Sequence, residues 1–340
     1  MSTILYSYVG ELAKFEDANL VNTPDGMRWC RPQIIDALLF RGHRVIAVQK
    51  RLETTPYEGV EYSDGLPGDA DLLFCEWRWK TYKGETPDVV RQSELLNAYH
   101  GNIPVVLFDA AFQIDAAAEQ TWPKAIVADP SIEPRYLTRK RERMFFWSDF
   151  RTFMGSRDPA DLVNYGYIGN KYDRQFVFEK FYINAAGLLR RQGIQTVVCG
   201  NWINRSADRP NPDHLIKSTS NVMFTGRQSF HESMQQLNNF IATTHLCKPE
   251  YDLYGNITVR FTESFAVGTP ALIPSSFKDS NILGKEWKVS STDDVVSKLI
   301  ALKRMSLSDR LNVLDSQQKN LTSRYNMHVN EAVKFIESKL

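Results

Sequence analysis

Arg260 and Glu263 stand three residues apart in the run YGNITVRFTESFAVGTPALIPSSF, on an otherwise apolar background. Residues at that spacing share one face of a helix, so the guanidinium and the carboxylate point the same way. A glutamate offers two acceptor oxygens suited to the paired hydroxyls of a ribose, and an arginine offers charge and a fork of donors to a phosphate. The pair suits a nucleotide; a surface ion pair on a helix is the plainer alternative. Upstream, three short apolar runs each end on a glycine. Gly169 is followed by Asn170, Lys171 and Arg174, Gly200 by Asn201 and Trp202, and Gly226 by Arg227 and Gln228. Backbone N–H groups, a helix dipole and cations after Gly169 suit a diphosphate, and glycine at position 200 lets a ligand approach the backbone. Any one of these glycines reads as a tight turn; their recurrence at successive strand ends is harder to dismiss.

Such residues need elements to hold them. Short apolar runs alternate with amphipathic stretches almost from end to end, the pattern of a mostly parallel sheet covered by helices, so the class is α/β. STILYSYVG, HRVIAV, DADLLFC and IPVVLFD read as strands of the first half, with RPQIIDALLFRG as a helix stopping at Gly42. From TWPKAIVADP to DPADLVNYG the regularity fails, and this stretch reads as an interdomain connection. The rhythm then restarts: LVNYGYIG, IQTVVCG, NVMFTGR, IATTHL and PALIPSS read as strands, and DRQFVFEKFYINAAGLLRRQG, SFHESMQQLNNF and the stretch from Arg260 to Phe265 as helices. SRYNMHVNEAVKFIESKL reads as a final helix. Two nucleotide-fold halves in tandem follow, with residues 1–160 as the first unit, 161–324 as the second and 325–340 as a terminal helix. In open sheets of this kind ligands sit at the carboxyl ends of the strands.

Composition narrows the partners. At 340 residues the chain exceeds what one core usually supports, and a formal net charge of +1 leaves no global field to draw it onto nucleic acid or membrane. Any polyanion must therefore be met by a local patch. The opening MSTILYSYVG has no basic region followed by a long apolar stretch, and a cytoplasmic location is expected. The four cysteines show no CxxC spacing and read as buried free thiols; the six histidines form no HExxH, so a metal hydrolase has no ligand set. The acidic DAD at residues 69 to 71 precedes a strand and reads as a polar turn.

The order of these pieces carries a resemblance. GDADLLF before a strand, VVLFD followed by a Trp-Pro, YGYIGNKYDR, VVCGN, VMFTGR and ITVRFTE, closing on Gly-Thr-Pro, resemble the GT-B glycosyltransferases, and among them the DNA β-glucosyltransferases of T-even bacteriophages. The resemblance covers most of the chain. It implies two Rossmann-like domains facing a central crevice, with Arg260 on the donor diphosphate, Glu263 on the ribose, Arg174 at a second phosphate position, the backbone around Gln228 on the uracil edge and Gly200 bordering the base. Arg227, Asn170 and Lys171 complete the expected donor set. Where the family carries another arginine four residues before the Arg174 position, this chain has Asn170, with Lys171 alongside as a substitute point charge.

Inverting transfer needs one carboxylate as general base. Asp109, at the end of IPVVLF, stands where the resembling enzymes carry their catalytic aspartate, although one residue is missing before it; Asp115 is the reserve, and a helix cap is the structural alternative for Asp109. Retaining GT-B enzymes often place a second glutamate at the position of Gly255, so inversion is expected. The acceptor implied is the hydroxymethyl group of a modified pyrimidine such as 5-hydroxymethylcytosine in double-stranded phage DNA, reached by base flipping in the infected host cell. Trp77, Arg78, Trp79 and Lys80, with Arg139, Lys140, Arg141 and Arg143, are the cations and aromatics suited to DNA; a solvated charged face with core tryptophans is the alternative. Glucose is the expected sugar, with a pentose such as arabinose left open. No dedicated metal cage is visible, though Mg2+ or Mn2+ can ride on the diphosphate. A monomer is expected. A GT-B enzyme acting on a small molecule or glycan, and an inactive nucleotide-sugar or DNA-binding module, are the rival readings.

Overall fold

The computed structural model of the chain describes residues 1–10, 12, 27–49, 56–77, 87–146, 154–202 and 221–340. The first half runs Thr3–Ser7 (β1), Met27–Phe40 (α1), Arg44–Ala47 (β2), Glu61–Tyr62 (β3), Leu72–Glu76 (β4), Pro87–Tyr99 (α2), Val105–Phe108 (β5), Ala116–Thr121 (α3), Ile126–Asp129 (β6) and Glu142–Arg143 (β7). Its strands make one seven-stranded sheet in the order β3-β2-β1-β4-β5-β6-β7. Every neighbouring pair is parallel. All residues of β4 and β5 are buried, as near-continuous apolar runs covered on both faces must be, with the terminal Glu76 of β4 paired to Arg31. β6 and β7 fall inside the stretch expected to be an interdomain connection, and that expectation is corrected. Strands of four and two residues show no periodicity of their own; the open edge of β5 supplies the hydrogen-bond partners of β6, and β6 those of β7.

The second half contributes Asn164–Ile168 (β8), Gln175–Phe178 (α4), Asn184–Arg191 (α5), Gln195–Cys199 (β9), Val222–Gly226 (β10), Phe230–Asn238 (α6), Thr243–Thr244 (β11), Pro249–Tyr254 (α7), Val259–Ala266 (α8), Ala271–Pro274 (β12) and Lys288–Val289 (β13). Thr292–Lys303 (α9), Leu307–Tyr325 (α10) and Val329–Glu337 (α11) follow. β10-β9-β8 and β11-β12-β13 are parallel three-stranded sets. A bridge between Asn164 and Phe240, and the Ile241 N–H donated to the Asn164 carbonyl at 2.7 Å, bring β11 alongside β8. The strand order therefore reverses between β8 and β11, as it does between β1 and β4, and a crevice opens at each switch point. A π-helical turn over Glu179–Ile183 joins α4 to α5. It carries Tyr182, whose hydroxyl accepts the Thr244 N–H at 2.8 Å and lies 3.1 Å from the Gly166 carbonyl, tying the two strands of the switch together.

The expected final helix is two helices. α10 continues to Tyr325 and ends on Asn326 in the left-handed conformation (φ 52°), and α11 starts afresh. α11 returns to the first half, where Val329, Val333 and Ile336 share one core with Ile34, Ile35 and Leu38 of α1. All four cysteines are buried and free. Among the described residues no helix is long and apolar enough to cross a membrane.

Candidate functional site

The ends of β8, β9 and β10 are built by glycine. Gly169 (φ +145°) and Gly200 (φ +124°) occupy conformations that L side chains rarely adopt, and a Cβ on Gly200 would lie 2.1 Å from the Gly169 carbonyl oxygen. Gly200 is thus required because two strand-end loops meet there backbone to backbone. The junction is sealed by the Trp202 indole N–H donated to the Gly169 carbonyl at 2.5 Å and by the Asn201 N–H donated to Asn170 Oδ1 at 3.0 Å. Asn170 therefore fastens one loop to the next. Lys171 is buried. Arg174 is half-buried; it donates from Nε to the Leu246 carbonyl and from Nη1 to the Asn170 carbonyl, both at 3.0 Å, and lies over the Tyr172 ring. Arg227 is exposed, and Gln228 is half-buried.

Arg260 and Glu263 fall on α8 and face one another, Nη1 to Oε2. The glutamate side chain is 1% exposed and the arginine 28%. The carboxylate is thus buried beneath a partly exposed guanidinium, and Arg260 lines a pocket at the β8/β11 switch point. The same pocket is lined by Tyr167, Ile168, Thr243, Arg260 and His245. Sequence reasoning did not find His245. A signal for it exists, because it follows β11 directly, where the strand-end rule looks for ligand contacts. Burial, with Arg174 and Arg260 nearby, pushes its pKa down to about 3, so the ring is neutral near pH 7.

In the first half, Asp109 follows β5 as expected, but its carboxylate turns inward and is fully buried. Oδ1 accepts the Gln113 N–H at 2.6 Å and Oδ2 accepts the Ile114 N–H at 2.9 Å. Arg141 binds the same Oδ2 at 3.0 Å, Glu119 at 2.9 Å and Asp129 at 3.7 Å, and donates to the Ile114 carbonyl. Burial raises the Asp109 pKa against these donors, and raises Asp129 to about 6. Asp115 is exposed and caps α3, accepting the Ala118 N–H at 2.8 Å.

The DNA-facing expectations divide. Arg141 is corrected to a buried partner of carboxylates, out of reach of a DNA backbone, because a guanidinium among acidic groups in the interior is held there by charge. Trp77 is corrected to a core residue: it is 3% exposed and packs edge-on to Trp122 at 5.4 Å. Arg139 donates its guanidinium N–H groups to the Trp122 and Pro123 carbonyls. Lys140 and Arg143 are exposed. Arg78, Trp79 and Lys80 lie outside the described residues.

The loop after β5 meets the second half directly. Tyr251 donates its hydroxyl to the Ala111 carbonyl at 3.0 Å, and Asn256 Nδ2 reaches the Ala110 carbonyl at 3.4 Å. Phe112, at φ 55°, sets its ring against Tyr251, Tyr254 and the Arg135 guanidinium. A non-glycine residue in this region is strained, and the ring packing between the halves holds it. Gly255 (φ +66°) presses on Ile132, which a Cβ would meet at 2.9 Å. Among the described residues no group of three or more His, Cys, Asp or Glu side chains gathers where it could hold a metal ion.

No family model matches the sequence, and no curated protein matches it. Solved structures do. T4 phage BGT in complex with UDP and Mn2+ superposes with a TM-score of 0.66 at 14% identity, over 100% of this chain and 99% of that one. T4 phage BGT with its UDP-glucose substrate gives 0.65 at 13% identity, over 99% and 98%. An alpha-glucosyltransferase in complex with UDP and a 13-mer DNA containing an HMU base gives 0.61 at 14% identity, over 99% of each chain. The chain has the GT-B fold of these phage enzymes along nearly its whole length.

Proposed function

We propose that this chain is a UDP-sugar-dependent glycosyltransferase acting on DNA. The observation that carries the reading is the convergence of Arg174, Arg260 and the buried carboxylate of Glu263 at the β8/β11 switch point, within a fold shared over full length with enzymes solved with UDP-glucose and with DNA. Residues 161–324 would hold the donor, residues 1–160 the acceptor, and 325–340 the return to the first unit. Arg174 and Arg260 take the diphosphate, Glu263 the ribose hydroxyls, and the Gln228 region the uracil edge, with Gly200 beneath the base. A divalent ion such as Mg2+ or Mn2+ would be bound chiefly by the phosphates themselves.

The acceptor we infer is the hydroxymethyl oxygen of a flipped pyrimidine, attacking the donor sugar with inversion. Inversion is supported by Gly255, which stands at the position of the second glutamate and turns with φ +66° against Ile132. Asp109 as general base is supported by its place after β5, beside the junction with α7, and by a raised pKa that suits proton acceptance. Its carboxylate is closed off by Gln113, Ile114 and Arg141, so acceptor entry must displace residues 110–114. Glucose is the first donor to try, a pentose the second, and we infer a monomer working in the cytoplasm of an infected bacterial cell. The test is to incubate the protein with hydroxymethylated and unmodified duplex DNA and a panel of UDP-sugars, digest, and weigh the nucleosides. A mass gain of one sugar on the hydroxymethylated nucleoside alone is expected. No gain with any donor, or UDP release only with small-molecule acceptors, would sink the DNA reading.

A further inference from the structure

The residue after β11 is a histidine whose ring packs on Phe261 and Phe277 but leaves one nitrogen without a hydrogen-bond partner among the described residues. His245 donates its backbone N–H to the Leu272 carbonyl at 2.8 Å, a strand contact that any residue would make. Its side chain is different. The residue is 4% exposed, and Nε2 is enclosed without a hydrogen-bond partner among the described residues. A buried ring nitrogen left in that state costs stability, about 1–3 kcal/mol for an unsatisfied polar group, and persists where something else offsets it. Phe261 packs on the ring at a centroid distance of 3.8 Å and restricts its rotation, so the nitrogen is aimed as well as buried.

The surroundings identify what is missing. His245 lines the same pocket as Arg260 and Thr243, and the carbonyl of its neighbour Leu246 receives the Arg174 guanidinium. Two guanidiniums, at the start of α4 and on α8, are thus close enough to act on the imidazole. Burial, and then the charge of both arginines, keeps the ring neutral with a pKa of about 3, so one of its two nitrogens carries a proton and can donate. An acceptor that satisfies such a donor between two cations is an anion rich in oxygen.

We propose that His245 Nε2–H donates a hydrogen bond to a diphosphate oxygen of the nucleotide-sugar, between Arg174 and Arg260. This assignment rests on the donor reading above. A neutral donor in that position adds direction to a site whose cations supply charge. A hydrogen bond from a group to a charged phosphate is worth about tenfold or more in affinity.

Calorimetry with UDP and with uridine on wild type, His245→Ala and His245→Gln tests it. His245→Ala should lose UDP affinity by about tenfold or more and keep its uridine affinity; His245→Gln, whose amide N–H reaches a similar point, should recover most of the loss. Equal UDP affinity in wild type and His245→Ala, or equal losses for UDP and uridine, would overturn the proposal and leave the donor site standing. Failure of wild type to bind UDP would remove the donor reading and this proposal together. Because His245→Ala alters a buried position, nitrogen NMR of the wild-type histidines supplies a second measurement. The resonance that vanishes in His245→Gln should move on adding UDP and stay in place on adding uridine. A resonance that ignores UDP at saturation counts against the proposal even if the alanine variant does not fold.

Discussion

Glu263 shows how far spacing alone can go. It is fully buried yet faces a half-exposed arginine three residues earlier on the same helix. If it holds the ribose hydroxyls, Glu263→Ala should weaken UDP binding by about 1–3 kcal/mol, the cost of losing hydrogen bonds to a charged group. Unchanged UDP affinity in a variant that remains folded would remove Glu263 from the site. His245 leads to a pH prediction. Its folded pKa of about 3 lies below the ordinary 6.5, so between those values the unfolded chain binds a proton that the folded chain refuses. This group therefore contributes no penalty above pH 6.5, and its contribution turns increasingly unfavourable as pH falls toward 3, by at most about 1.4 kcal/mol per pH unit. Urea unfolding of wild type and His245→Gln at several pH values from 7 down to 4 should show a shallower loss in the variant. Parallel curves would mean that the ring is not neutral in the folded protein.

At the scale of elements, the loop between β5 and α3 is held by Arg141, which gathers Asp109 of that loop, Glu119 of α3 and Asp129 of β6. Arg141→Met should cost about 3–5 kcal/mol, because it strands carboxylates in the interior without a cation. Denaturant midpoints check this, and a loss under about 1 kcal/mol, the range of a water-exposed ion pair, would show the cluster to be solvated. Asp109→Asn separates structure from chemistry. Under the general-base proposal it should keep UDP and DNA affinity while single-turnover transfer falls roughly 10²–10⁴-fold. Wild-type transfer rates in that variant would move the base elsewhere, with Asp115→Asn the next substitution to make. The strand and its terminal aspartate were legible as an apolar run ending in an acid. The inward turn of the carboxylate was not, since its cation lies 32 residues downstream.

For the molecule as a whole, a net charge of +1 means that DNA must be met by a local patch. Within the 139 to 143 cluster, Lys140 and Arg143 face solvent and Arg141 does not. Replacing Lys140 or Arg143 by alanine should lower the slope of log affinity against log salt by about one for each phosphate that is no longer neutralised, at similar cost for all sequences. A slope equal to wild type in both variants would return them to the solvated surface.

Features governed by near neighbours in the chain were readable in advance: apolar runs as strands, glycines at their ends, and the shared face of Arg260 and Glu263, because backbone geometry sets periods of two and 3.6 residues. Longer-range outcomes depended on packing. β6 and β7 exist because a sheet edge was open, α11 crosses back because α1 had an uncovered apolar face, and Trp77 is interior because Trp122 meets it. Whether Asp109 faces the crevice or Arg141, and whether His245 is an ordinary strand residue or a donor between two guanidiniums, is decided by groups brought together from distant parts of the chain. Those contacts form only when the elements close on one another, so burial and charge at these positions are properties of the tertiary structure.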